Sequence, residues 1–348
     1  MSVHDVEPAD PTGDGGLLPS PEPGAVANAE ARGGVVRVRL DLAYDGAGFS
    51  GWAAQPGRRT VEGELTAALS RVLRSAPPRL VVAGRTDAGV SARGQAAHLD
   101  LPADSWRSLP GRSGGRPDGP APGEALVRRL AGVLPEDVVV RSARPAPPGF
   151  DARFGALSRR YAYRVADGAS ARDPLRRGEV LAVRRRLDAA AMDRAAGLLL
   201  GEHDWLPFCR PREGASTVRT LLRHGWTREE GGVLVADVEA DAFCHHMVRS
   251  LVGACLAVGE GRRDEGWPAR VLAAGVRDPA VAVVPARGLV LEEVRYPDDE
   301  ALAAQARRAR TRRGPVHAPG VTTAAGQPSP RVAPARRAVA VSRHEHDT

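Results

Sequence analysis

Two stretches of the chain repeat one grammar, and that repetition limits the fold more than any other feature. In the first, Val36, Val38, Leu40 and Leu42 alternate with Arg37, Arg39 and Asp41, the period of a half-buried strand. Thr60 then stands where a helix N-cap belongs, ahead of an apolar stripe of Leu65, Ala68, Leu69, Val72 and Leu73. Glu62 and Glu64 fall in its first turn and Arg71 and Arg74 in its last, the order the helix dipole favours. Two further strands, Leu80 to Ala83 and Ala96 to Leu101, read as a hairpin. In the second stretch Tyr161, Tyr163 and Val165 alternate with Arg160, Ala162 and Arg164. Asp188 caps a helix carrying Met192, Ala195, Ala196 and Leu199, and strands follow at Val218 to Trp226 and Val233 to Ala240. A last helix puts Phe243, Met247, Leu251, Ala254, Cys255 and Val258 on one face and ends at Gly259, before a strand from Leu289 to Tyr296. Strand–helix–strand–strand units in both halves predict an α+β fold. Two lobes, 34–140 and 141–297, share a largely antiparallel sheet flanked by helices.

The ends stand apart. Residues 1–33, rich in Gly, Pro, Ala and acids, and residues 298–348, rich in Ala, Arg and Pro, lack apolar periodicity, which predicts disordered tails. Ser108 to Gly123 has the same character and reads as a flexible insertion. The net charge is +7, with every basic residue an Arg, and the part between the tails is itself basic. That suits a nucleic-acid partner, although an all-Arg complement also follows from codon composition. Cys209, Cys244 and Cys255 show no metal or disulfide spacing. With no signal-like start and no apolar run long enough to span a bilayer, the expectation is a cytoplasmic protein without a membrane partner. No glycine-rich phosphate loop opens a helix, so a nucleotide cofactor has no seat.

The chemistry gathers where the first hairpin turns. Gly84-Arg85-Thr86-Asp87-Ala88-Gly89-Val90 leaves an apolar strand and presents a carboxylate between Arg85 and Arg93, whose charge attracts an anionic polymer. Read locally, Asp87 is either a turn residue bonding its own backbone or a reactive group at a cleft. Tyr161, beside Arg159 and Arg160, is either a packed sheet residue or a platform for an unstacked base, with the arginines meeting phosphates. Arg249 lies off the apolar stripe of its helix, either solvated or reaching across a cleft to a carboxylate. His245 and His246, read as adjacent helical residues, point about 100° apart and have no third ligand one turn on, so no metal is expected. No serine or cysteine has a triad around it.

Taken together, these strings resemble one family. They are Tyr44-Asp45-Gly46 through Phe49 to Gly51-Trp52, Thr60 to Gly63, the Gly84–Val90 loop, and Leu134-Pro135 with Asp137. Ala152-Arg153-Phe154 with Arg159, Tyr161 and Tyr163 follows, then Gly201-Glu202-His203-Asp204, His246-Met247-Val248-Arg249, and Pro285 to Leu289. In this order they are similar to tRNA pseudouridine synthase A, the TruA family, over roughly residues 35–297. The resemblance implies isomerisation of uridine to pseudouridine at positions 38, 39 and 40 of the tRNA anticodon stem-loop, by a homodimer, without cofactor or metal. It implies Asp87 as nucleophile, Tyr161 stacked on the target base, Arg249 paired with Asp87, and Arg85 where the flipped nucleotide leaves the stem. Ser91 and Asp151 stand where the family usually has His. A catalytically weak tRNA-binding folding helper is the alternative. A carboxylate-dependent hydrolase lacks a second acid near Asp87.

Overall fold

The structure is a computed structural model that describes residues 34–76, 78–111, 119–168, 172–212 and 214–311. The N-terminal tail, the C-terminal tail beyond Thr311 and the middle of the Ser108–Gly123 insertion lie outside the described residues. Among the described residues one ten-stranded sheet runs through both halves. The first half contributes β1 (Val35–Tyr44), β2 (Val81–Val82), β3 (Ser91–Pro102) and β4 (Val138–Pro145). The second contributes β5 (Ser158–Ala166), β6 (Leu181–Ala182), β7 (Gly201–Asp204), β8 (Val218–Arg228), β9 (Leu234–Ala240) and β10 (Leu289–Arg295). The order is β4-β1-β3-β10-β5-β9-β8-β7, with β2 on β3 and β6 on β5. Pairing is antiparallel except at β5–β6 and where the halves join, Val290 opposite Ser91 and Leu291 opposite Ala92 on β10 and β3.

Alternation along the strands sends the apolar set to one face. Val38, Leu40 and Leu42 of β1 and Tyr161, Tyr163 and Val165 of β5 are buried in one continuous core under the helices. Helix α1 (Val61–Leu73) begins where expected, Thr60 Oγ1 accepting from Gly63 N at 3.2 Å. Next along the chain come α2 (Ala103–Ser108) and α3 (Pro122–Ala131). In the second half Asp188 Oδ1 accepts from Ala191 N at 2.9 Å to open α4 (Ala189–Gly197). Helices α5 (Met247–Gly259) and α6 (Trp267–Ala274) complete that side. Most of α5 is buried rather than one stripe, and Gly253 lets the loop after α6 lie against it: a Cβ there would meet Ala282 O at 1.9 Å.

The opposite face carries much of the arginine. Arg37 pairs with Asp100, Arg144 with Asp41, Arg160 with Glu293 and Arg164 with Glu292. Such partly exposed pairs each contribute about 0.5 kcal/mol, and they remove guanidinium groups from any RNA count. The chain's basicity therefore overstates the charge available to a polyanion.

Two expectations need correction. Residues from Asp298 onward, taken as tail, include a helix, α7 (Leu302–Arg310). It is ordered because Leu302 joins Phe150 and Ala152 in a small cluster and Arg310 donates to Asp151 Oδ2 at 2.9 Å. Only Leu302 and Ala306 of this helix are buried, too few for a periodic stripe. The second correction is that α5 starts at Met247, four residues later than the stripe from Phe243 implied, because His246 takes the left-handed conformation (φ 66°).

Buried histidines predict acid sensitivity. Burial pushes both His98 and His224 down to about 4 from 6.5, and His98 Nδ1 accepts from Ala152 N at 3.0 Å, which requires the neutral ring. Between those values the unfolded chain binds the extra protons. Stability is therefore full above about 6.5 and is lost as pH falls towards about 4. The urea midpoint is expected to be lower at pH 5 than at pH 7; equal midpoints would refute the burial argument.

Candidate active site

Glycines allow two loops to touch, and their contact holds Asp87. After β2 the chain keeps pairing through Ala83 N to Ala96 O (2.8 Å) and then turns. The turn lies on the loop that follows β1. Trp52 N donates to Thr86 O at 3.0 Å and Gly89 N to Phe49 O at 3.2 Å. A Cβ on Gly46 would stand 2.1 Å from Val90 O and one on Gly51 2.9 Å from Thr86 O, so neither site accepts a larger residue without moving the turn. Inside, the Tyr44 hydroxyl bonds Thr86 Oγ1 (2.8 Å), and Gln95 Nε2 donates to Tyr44 Oη (3.2 Å) and Gly84 O (2.9 Å). Burial pushes the Tyr44 hydroxyl up to about 12, so it stays protonated. Ser91 Oγ accepts from Gly46 N at 2.9 Å, so the residue at that unusual position secures the same loop.

The Asp87 carbonyl, not its carboxylate, closes the turn by accepting from Val90 N at 3.1 Å. The carboxylate faces the β9–α5 connection: Oδ1 lies 3.4 Å from His245 Nε2 and Oδ2 3.8 Å from His246 Nε2. The expected pairing with Arg249 is not formed in this structure. Arg249 Nε donates to Val284 O at 2.6 Å, tying α5 to the strand-leading loop, and the imidazoles of His245 and His246 lie nearest the Asp87 carboxylate oxygens. Those rings were expected to diverge. They lie with centroids 3.9 Å apart because neither residue is helical: the left-handed turn at His246 swings its ring beside that of His245. Arg210 N donates to His245 O at 3.0 Å and holds the turn in place. Burial lowers the His245 pKa, Asp87 opposing and Arg210, Arg212 and Arg249 assisting, so the ring is neutral at pH 7.

Tyr161 comes to the same site from β5, but as a buried residue, edge-on to Phe243 with centroids 5.2 Å apart. Burial raises its pKa, and the negative charge of Asp87 adds to the shift, so its hydroxyl stays protonated. It is a wall beside Asp87, not an exposed platform among arginines. Arg159 is also corrected. Its guanidinium is buried and donates to Ala83 O, Arg153 O and Asp241 O, each at 2.7 Å, which leaves it no phosphate role. Arg93 pairs with Glu292 and Glu179 on the face of Arg164, opposite the Tyr161 ring, and is not brought to the site. Arg85 is exposed at the turn and close enough to Arg153 to lower its pKa, after burial. Arg153, Arg210 and Arg212 are exposed as well and complete a cationic rim that local reading missed. Their signal in the sequence was adjacency: Arg153 sits in the Ala-Arg-Phe string, and Arg210 and Arg212 flank a proline. Asp151, the other unusual residue, accepts from Arg153 N (2.9 Å) and Phe154 N (2.8 Å) and so shapes that string.

An ionisable carboxylate at a loop tip, an aromatic wall and a rim of arginines can receive a base turned out of an RNA stem. Comparison with known proteins agrees with that chemistry. Residues 195–297 match the family described as tRNA pseudouridine synthase. The chain is 58% identical over 282 residues to the tRNA pseudouridine synthase A of Frankia casuarinae, covering 81% of this chain and 97% of that protein. It is 57% identical over 283 residues to the protein of that name from Streptomyces griseus, covering 81% and 95%. With the one from Bifidobacterium longum it shares 44% over 303 residues, covering 79% and 98%.

Proposed function

The chain belongs to the tRNA pseudouridine synthase A family, an isomerase family acting on tRNA, and from that premise we propose that it modifies uridines 38, 39 and 40 of the anticodon stem-loop with Asp87 as nucleophile. The observation that carries this reading is the direction of the Asp87 carboxylate. It points off a turn braced by backbone hydrogen bonds, away from its own main chain, towards the imidazoles of His245 and His246. The reaction breaks the C–N glycosidic bond, rotates the uracil and forms a C–C bond to the same sugar. A carboxylate suits it because it adds covalently and leaves again. A paired base is out of reach, so it is extruded and held against Tyr161 while Arg85 and Arg153 meet the displaced backbone. The protonated Tyr161 hydroxyl gives the ring a stacking role and a hydrogen to donate, not a resident phenolate.

Halves 34–140 and 141–297 act as lobes gripping the stem-loop, the working particle is a cytoplasmic homodimer, and neither metal nor cofactor takes part in turnover. Sedimentation of the full chain with and without tRNA reads the assembly; a monomer under both conditions would rule the dimer out. The reaction is read by tritium release from tRNA labelled at uridine C5, with the product positions mapped chemically. Wild-type protein that binds tRNA yet releases no tritium would replace the synthase reading with that of a folding helper. Arg85→Ala is expected to weaken binding to all tRNAs alike and to lower the slope of log K against log salt by about 1. An unchanged slope would take Arg85 out of the RNA contact.

A further inference from the structure

The group of atoms around Asp87 supports a second chemistry. One carboxylate oxygen of Asp87 and one ring nitrogen each of His245 and His246 all lie within 4.8 Å of one another, the one such trio of His, Cys, Asp or Glu donors among the described residues. Four-coordinate zinc with bonds of about 2.0–2.2 Å sets its ligand atoms roughly 3.3 Å apart. His245 Nε2 lies 3.4 Å from Oδ1 and His246 Nε2 3.8 Å from Oδ2, so side-chain rotations that bring one carboxylate oxygen towards both rings reach that value. The donors are also held. The turn fixes Asp87, the Arg210 N–H fixes the His245 backbone, and the left-handed His246 keeps the two rings side by side. A non-glycine residue in that conformation carries strain, and here the strain aims an imidazole at a carboxylate.

We propose that Asp87, His245 and His246 form a zinc site, with three protein ligands and an open fourth position, and that zinc bound there blocks pseudouridine formation by occupying the nucleophile. The blocking half rests on the reading of Asp87 given above; the binding half does not. Two imidazoles and a carboxylate favour zinc over magnesium, which prefers oxygen ligands, so the Mg²⁺ that accompanies tRNA does not fill the site. The trio carries one negative charge beneath a cationic rim, which makes the site reversible rather than structural. Inhibition follows from occupancy: zinc on one carboxylate oxygen draws electron density from both, which weakens the nucleophile, and the ion stands where the extruded base must approach.

The test titrates the full-length chain with Zn²⁺ against a chromogenic chelator, in Mg²⁺ buffer, with and without tRNA. His344 and His346 near the C-terminus are further zinc donors, so the quantity read is the equivalent lost in variants. Asp87→Asn and His246→Ala are each expected to weaken one equivalent roughly tenfold or more. His246→Asp, which restores a ligand, keeps it, and its retention guards against a folding artefact. Tritium release by wild type should fall with zinc at the concentration where that equivalent fills, and return with chelator. If both weakening variants hold the same zinc as wild type, the site is overturned. If the equivalent fills while tritium release stays constant, the inhibition is overturned and the synthase reading stands. Wild type that is inactive without zinc would sink the nucleophile reading instead, while the binding titration still decides the site.

Discussion

Asp87→Asn is expected to lower tritium release from uridine-labelled tRNA by at least about 10³-fold while tRNA affinity changes only a few fold. The amide matches the carboxylate in size, and the turn that carries it is held by main-chain bonds donated by Trp52, Gly89 and Val90. The fold of the loop therefore survives the change. What disappears is a charged oxygen able to form and release a bond to substrate. Binding is insulated because the rim of Arg85, Arg153, Arg210 and Arg212 is untouched, and removing one acid beneath it favours a polyanion slightly. Single-turnover rates and filter binding separate the two quantities. A variant turning over within tenfold of wild type would show that Asp87 is not the nucleophile.

Arg159→Met is expected to cost about 3 kcal/mol of stability, because one buried and two partly buried carbonyls lose their donor together. Those carbonyls belong to three segments: Ala83 leads into the Asp87 turn, Arg153 lies on the rim, and Asp241 leads into the histidine turn. The variant loosens the site as well as the fold, and its activity should fall further than its folded fraction. Arg160→Met is the control on the same strand. Its partners, Glu293 and Asp237, sit on the other face, and losing a partly exposed pair costs only about 0.5 kcal/mol. Urea denaturation of the two variants distinguishes them. Equal destabilisation would mean that the Arg159 guanidinium does not clamp the loops.

These neighbours illustrate how far a local pattern reaches. Arg159 and Arg160 are adjacent, carry the same charge and flank the same tyrosine, yet one is a buried brace and the other a surface ion pair. Strand alternation predicted opposite faces; it held no information about which carbonyls wait on the inner one. His245 and His246 failed for a different reason. Their spacing was read as helical, and the left-handed turn before Met247 brought both rings to one carboxylate. Arg249 lies off the apolar stripe as expected, but Val284 O, thirty-five residues away, takes its Nε–H.

Residue order alone determined most of the strands, though not β4, β6 or β7, together with the Thr60 and Asp188 caps, the α+β class and the family, since each depends on periodicity within a few residues or on strings kept in sequence. It also singled out Asp87, because a carboxylate on a glycine-flanked turn is a local feature. Only the tertiary structure decided what stands around that carboxylate. Tyr161, His245, His246 and the rim arginines arrive from separate loops and strands, and burial then sets which of them are charged, neutral or already bonded. Those choices are made by partners far away in the chain, where no short window can see them.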